Sequence, residues 1–199
     1  VNTDRLKRMF NDEYEVKNEL YAGDISFIGS MYNEKHNLYD RLCGVNDYTK
    51  GYLDAIMKVQ RSIYGYFFLE DMLKGDVLDE MMRVCPVKPN EDGVETVQYV
   101  YANYFLARRM ATDERTDILS RVGRELGREN KINLYTPDAS VRFINVNNKG
   151  TVDYYNEMPY VFRNSRINLN ITLRSIKSGI PLRCMDICGC LLYTSDAAD

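Results

Sequence analysis

The stretch Arg166-Ile-Asn-Leu-Asn-Ile-Thr-Leu-Arg-Ser-Ile-Lys-Ser-Gly-Ile-Pro-Leu-Arg-Cys-Met-Asp186 reads as a strand, a turn and the start of a helix. In a strand over Arg166–Ile171, Ile167, Leu169 and Ile171 face one side while Asn168, Asn170 and Thr172 face the other. An interior parallel strand is normally apolar on both faces, so these polar side chains in a row need a reason. Two remain open on spacing alone. Either the strand's end opens on the crevice where α/β sheets bind ligands, or this is an edge strand whose polar side chains tie down a neighbouring loop. Ser178-Gly-Ile-Pro181 then supplies a flexible turn and a proline suited to the first helical position. A helix starting there aims unpaired N–H groups at whatever lies ahead, and a diphosphate fits. Arg183 falls in the first turn, where the helix dipole disfavours a cation. A nearby anion would explain it; otherwise it is an exposed arginine that costs a few tenths of a kcal/mol. Asp186 shares its face three residues on, ready to accept from ribose hydroxyls or to pair with Arg183.

Working outward, Asp24-Ile-Ser-Phe-Ile-Gly-Ser30 alternates and ends in Gly-Ser, as a strand entering a loop does. Lys131-Ile-Asn-Leu-Tyr135 is a second strand, closed by Thr136-Pro-Asp138. Val152-Asp-Tyr-Tyr155 is a weaker strand or a loop, and Met158 to Phe162 suggests a short helix. Leu38, Leu42 and Val45 begin a helical period. From Tyr48 to about Arg128 the pattern is helical almost throughout: Tyr52, Ile56, Val59, Ile63 and Tyr66 recur at helical steps, and Val77, Met81 and Val84 do the same until Pro86 and Pro89. Thr112 or Asp113 is a candidate cap for a helix carrying Ile118, Leu119, Val122 and Leu126. This order implies an α/β fold: a Rossmann-like parallel sheet with a large helical insertion at about 48–128.

Composition narrows the classes. The chain has 199 residues, 45% hydrophobic and 28% charged, enough to bury a core without disulfide or metal. Its 16 tyrosines stand out beside no tryptophan; tyrosines stack on sugars, but more often they pack cores with one wet end. The net charge of -3 and scattered Lys and Arg argue against nucleic acid as the main partner. The longest strongly apolar stretch, Tyr64 to Leu69, is far too short to cross a bilayer, so no transmembrane segment is expected. Five cysteines without a CxxC suit a reducing compartment, and the expected location is cytoplasmic. Cys184, Cys188 and Cys190 with one distant histidine, His36, are poor zinc spacing, and no metal is expected.

Tyr154-Tyr-Asn-Glu-Met-Pro-Tyr-Val-Phe162, then Asn164 through Arg183 and Asp186-Ile-Cys-Gly189, resembles the CgeB-like (spore-maturation type) glycosyltransferases. Asp24 to Ser30 is similar to the strand that opens their C-terminal domain, and Asn2-Thr-Asp4 to the end of their N-terminal domain. The resemblance implies a GT-B architecture, two Rossmann-like domains around a shared active site, usually without metal. Residues 1–23 would then be a connector from the N-terminal domain and 24–189 an incomplete C-terminal donor-binding domain. Residues 190–199 depart from the family pattern: Leu191 to Asp199 resembles adapter read-through, and Cys190 is undecided. Asp186 matches the family's ribose-holding position; Arg183 with Gly179, Ile180 and Pro181 matches its donor-phosphate segment. Gly29 and Ser30 match its glycine-rich loop. Asn170, Thr172, Arg174 and Glu157 complete the expected donor-binding set.

The resemblance implies transfer of a sugar from a nucleotide diphosphate-sugar, with no cofactor, to an unidentified glycan or protein acceptor. Arg183, aided by Arg174, would stabilise the departing diphosphate; no catalytic base is named. The fragment itself is expected to lack turnover. The alternative is a non-catalytic Rossmann-like module binding a nucleotide or a protein through its helical region. A third possibility, an all-helical scaffold, requires that Asp24–Gly29 and Ile167–Ile171 not be adjacent parallel strands.

Overall fold

The strand β1, Gly23–Ile28, is the centre of a parallel sheet in this computed structural model, which describes residues 5–6, 9–10, 19–33, 37–89 and 93–191. It pairs on one side with β2, Ile132–Tyr135, and on the other with β4, Ser165–Leu169; β3, Val146–Asn148, lies outside β2. The strand order is therefore 3-2-1-4, the order in which the Rossmann sheet begins, and it reverses direction between β1 and β4. Ile25 faces Ile132 on one side and Ile167 on the other, which removes the all-helical scaffold. The chain is α/β with a Rossmann-like parallel sheet and a large helical part.

One register line of the sheet is polar. Asn147, Asn133, Ser26 and Asn168 stand side by side across the four strands. Ser26 is 1% exposed and donates its hydroxyl to Asn168 Oδ1 at 2.8 Å; Asn168 Nδ2 donates to the Phe162 carbonyl at 2.9 Å. Burial of a hydroxyl costs a kcal/mol or more without such a partner, so Asn168 is what permits a serine in the central strand. The polar face of β4 thus ties down its neighbours at Asn168, as an edge strand's would. The strand ends at Leu169, two residues short of the Ile171 expected, leaving Asn170 and Thr172 outside it.

Two compact units make up the chain. The first comprises Val1–Ser30, Asp117–Asn170 and Ile180–Asp199, and contains the sheet. Its core on one side gathers Tyr21, Ile28, Tyr135, Tyr160, Val161 and Phe162, with Phe10 edge-on to Tyr160. Met158–Arg163 forms the short helix of this unit, and Leu182–Leu191 its last helix. Residues 154–157 are a turn, not a strand: the Asp153 carboxylate accepts from the N–H groups of Tyr155 and Asn156 at 3.0 and 2.7 Å, which curls the chain. The strand β3 was not legible, because Val146-Asn-Asn148 has no apolar alternation.

The second unit comprises Met31–Thr116 and Ile171–Gly179; it starts before the 48–128 expected from periodicity and leaves out 117–128. A 3-10 turn, Leu38–Leu42, precedes α1, Asp47–Ser62, which Asn46 caps by accepting from Thr49 N–H. Then come α2, Leu69–Met72; α3, Gly75–Val84; α4, Val97–Val100; a π-helical segment, Tyr101–Leu106; and α5, Ala107–Leu126, whose second half belongs to the sheet unit. Leu53, Leu69, Leu73, Met81, Leu106 and Met110 are its nearly solvent-free core. The helical period read through Ile63 and Tyr66 fails: α1 stops at Ser62, and both side chains are exposed. Gln60, buried at 1%, donates to the carbonyls of Ile63 and Tyr66 and accepts from Phe68 N–H, so it holds a loop where the helix would have continued. Gly65 at φ +84 turns that loop. The last two helices of the sheet unit are hereafter α6, Met158–Arg163, and α7, Leu182–Leu191.

Candidate functional site

Where strand order reverses, the carboxyl ends of the two flanking strands splay apart and their loops border a crevice. Here the flanking strands are β1 and β4, so Gly29 and Ser30 lie just past one tip and Asn170 just past the other. Gly29 N–H is used by the sheet, donating to the Tyr135 carbonyl at 3.0 Å. Asn170 Nδ2 donates to Cys184 Sγ at 2.9 Å, which brings the first turn of α7 to the tip of β4. The helix begins at Leu182, so Pro181 directly precedes it, with its carbonyl accepting from Cys184 N–H at 2.9 Å. Ile180, just before, is 70% exposed.

Arg183 and Asp186 are neither lost in the core nor loose. Their side chains retain 26% and 19% exposure and approach within 3.9 Å. The Arg183 guanidinium lies over the Phe162 ring at 5.5 Å and against Met158 Sδ. Asp186 Oδ1 accepts from the Tyr154 hydroxyl at 2.8 Å while Oδ2 turns toward Arg183. The carboxylate is thus oriented from both sides, and the hydrogen bond to it pushes the Tyr154 phenol above its ordinary value. Asp186 also lines a cavity of ≈ 440 Å³ with Arg5, Tyr154, Tyr155, Met158 and Phe162. Arg5 is anchored there, donating to Asn156 Oδ1 at 2.8 Å and lying 5.3 Å over the Tyr155 ring. An aromatic wall with a held carboxylate and an arginine suits a ring-shaped ligand bearing hydroxyls.

Other expected residues do different work. Glu157 accepts from the Tyr21 hydroxyl at 2.8 Å and from Asp153 N–H at 2.6 Å. Oε2 serves the turn before α6 and Oε1 holds Tyr21, whose phenol is raised well above its ordinary value by burial and then by Glu157. Thr172, Arg174 and Gly179 belong to the helical unit. Arg174 donates through Nε and Nη2 to Glu114 Oε1 at 2.9 and 2.7 Å and through Nη2 to the Arg61 carbonyl; its side chain is 15% exposed. Burial depresses its guanidinium, but Glu114 and Tyr64 together more than offset this and the net shift is upward. Arg174 is therefore tied into its own unit through Glu114. Gly179 takes φ +88 at the end of that segment.

Tyr154, Tyr155 and Arg5 carried no role in the sequence reading. Nothing in spacing links Tyr154 to a carboxylate 32 residues on; only the packing of α6 and α7 does. Thr136, at the tip of β2, is 1% exposed and its hydroxyl has no hydrogen-bond partner. His36, Asn2-Thr-Asp4 and residues 192–199 lie outside the described residues. Among the described residues no group of three or more His, Cys, Asp or Glu is arranged to hold a metal, and no helix is long and apolar enough to cross a membrane. No family model matches the chain, and neither does a curated protein or a solved structure.

Proposed function

We propose that the chain is the donor-binding part of a glycosyltransferase of the CgeB-like kind, and that its sheet unit holds a nucleotide diphosphate-sugar. The observation that carries this reading is the Asp186 carboxylate: it stands on the first turns of the helix after the switch-point strand, held by Tyr154 and directed at a cavity of ≈ 440 Å³. A carboxylate has about four acceptor positions, so Tyr154 fixes it and leaves capacity for ribose hydroxyls. The cavity falls within the roughly 300–1,000 Å³ that enclose small-molecule ligands. The amino end of α7, with Arg183, then faces the diphosphate, whose growing negative charge is the electrostatic load of an oxocarbenium-like transfer. The acceptor is a glycan or a protein supplied to the parent enzyme, and cytoplasmic work on a nucleotide-sugar fits the free cysteines.

Titration of the 199-residue chain with uridine, guanosine and thymidine diphosphates by calorimetry tests the reading. Binding of at least one is expected, weakened about tenfold or more in Asp186→Asn, since a charge-assisted bond is worth about 1.5–3 kcal/mol. Arg183→Ala should weaken the diphosphate and leave the free nucleoside unaffected. If none binds, the donor reading fails.

A second reading, a non-catalytic nucleotide- or protein-binding module, needs no catalytic base, and none is named among the expected residues. Donor binding by the intact parent with neither transfer nor slow donor hydrolysis would decide for the module.

A further inference from the structure

We propose that the helical unit carries a second site, a hollow between the loop at 63–68 and the segment at 172–177, that binds a single sugar ring. Its cavity is ≈ 210 Å³ and is lined by Tyr64, Tyr66, Phe67, Thr172, Ile176 and Lys177. That is below the roughly 300–1,000 Å³ of sites enclosing larger ligands, so it admits one ring and not a nucleotide.

The chemistry of the lining matches a sugar, which offers an apolar C–H face and a rim of hydroxyls. Tyr64 is 78% exposed and Tyr66 is 63% exposed, an unusual display of ring surface on one short loop. Neither ring is free to wander. The Arg174 guanidinium lies 3.7 Å from the Tyr64 centroid, and Arg174 is itself fixed by Glu114, whose side chain is 9% exposed. The Tyr66 hydroxyl donates to Asp71 Oδ2 at 2.6 Å. Beneath them Gln60 ties the loop through three backbone hydrogen bonds. Exposed rings held in place beforehand lose little side-chain freedom when a ligand arrives, which is the usual cost of a shallow site. Lys177, held by Glu70 at 2.8 Å, adds donors at the edge of the hollow. In the transferase reading this ring belongs to the acceptor, and only that attribution rests on the reading; sugar binding stands on the loop's own geometry.

Saturation-transfer NMR on the 199-residue chain with the methyl glycosides of glucose, galactose, mannose and N-acetylglucosamine tests it. Transfer to at least one glycoside is expected, with affinity falling about tenfold in Tyr66→Ala and further in the Tyr64→Ala/Tyr66→Ala pair, the loss of about one aromatic contact each. Both positions are exposed, so circular dichroism should be unchanged, and nucleoside diphosphate binding should be retained. No transfer to any glycoside, or transfer that survives the double substitution, overturns the site while leaving the donor reading intact. Tyrosine-dependent glycoside binding without nucleotide binding upholds the site and removes the donor reading. Concentration-dependent self-association that Tyr64→Ala abolishes, without glycoside binding, makes the loop a protein contact and overturns the proposal.

Discussion

Asn168 and Asp186 show how differently two polar residues from one stretch are used. Asn168 connects the central strand to α6 through Ser26 and Phe162. Asn168→Ala would leave the Ser26 hydroxyl buried without its acceptor, a loss of about 1–3 kcal/mol, read as a lower midpoint in urea with an unchanged slope. Asp186 has its partners at the surface, Tyr154 and Arg183, and Asp186→Asn should change stability far less than ligand binding. The family resemblance put Arg174 with the donor residues. Its guanidinium instead meets Glu114 and Tyr64, neither of which is near it in sequence. Nothing along the chain announces this partner, which lies 60 residues away.

Elements are held by close approach and by capping. In α5, a methyl group on Gly123 would stand 2.2 Å from the Ile144 carbonyl and 2.8 Å from Val146 Cγ2. Gly123→Ala should therefore destabilise, because overpacking of about 1–3 kcal/mol exceeds the gain of about 1 kcal/mol in helix propensity. Gly51 in α1 is the control: a methyl there meets nothing within 4 Å, and Gly51→Ala should raise the melting temperature slightly. The amino end of α1 also depends on pH. Glu80 on α3 accepts from Arg83 and from Asn46 N–H, and these bonds lower its pKa from 4.5 to about 2. A lowered folded pKa means the stabilisation is complete above the unfolded value and fades as pH falls from 4.5 through about 2. Thermal melts of Glu80→Gln across that range should lose less on acidification than those of the parent chain, and parallel curves would contradict this. Helix existence was legible from periodicity, but the breaks at 63–68 were not, since Ile63 and Tyr66 keep the helical spacing while Gln60 and Gly65 stop the helix.

For the whole molecule, the order 3-2-1-4 predicts where protection from hydrogen exchange concentrates. The amides of β1 are paired on both sides and should exchange slowest, those of β3 and β4 faster, since edges open without breaking the sheet. Fastest exchange in β1 would contradict the topology. Thiols give a parallel readout: burial pushes the Cys190 thiol up to about 12, so alkylation should reach exposed Cys43 and Cys188 first and Cys190 last.

Local chemistry in the chain was enough to announce a parallel α/β sheet, three of its four strand cores, the short helix at Met158 and a helix starting beside Pro181, because side-chain alternation and turn residues act over a few positions. Everything that joins distant positions was decided by tertiary packing: the pairing of β1 with both β2 and β4, the hold of Tyr154 on Asp186, the capture of Arg174 by Glu114, and the display of Tyr64 and Tyr66. Such contacts depend on which surfaces meet once the sheet forms, and no periodicity along a single strand or helix encodes a partner on another.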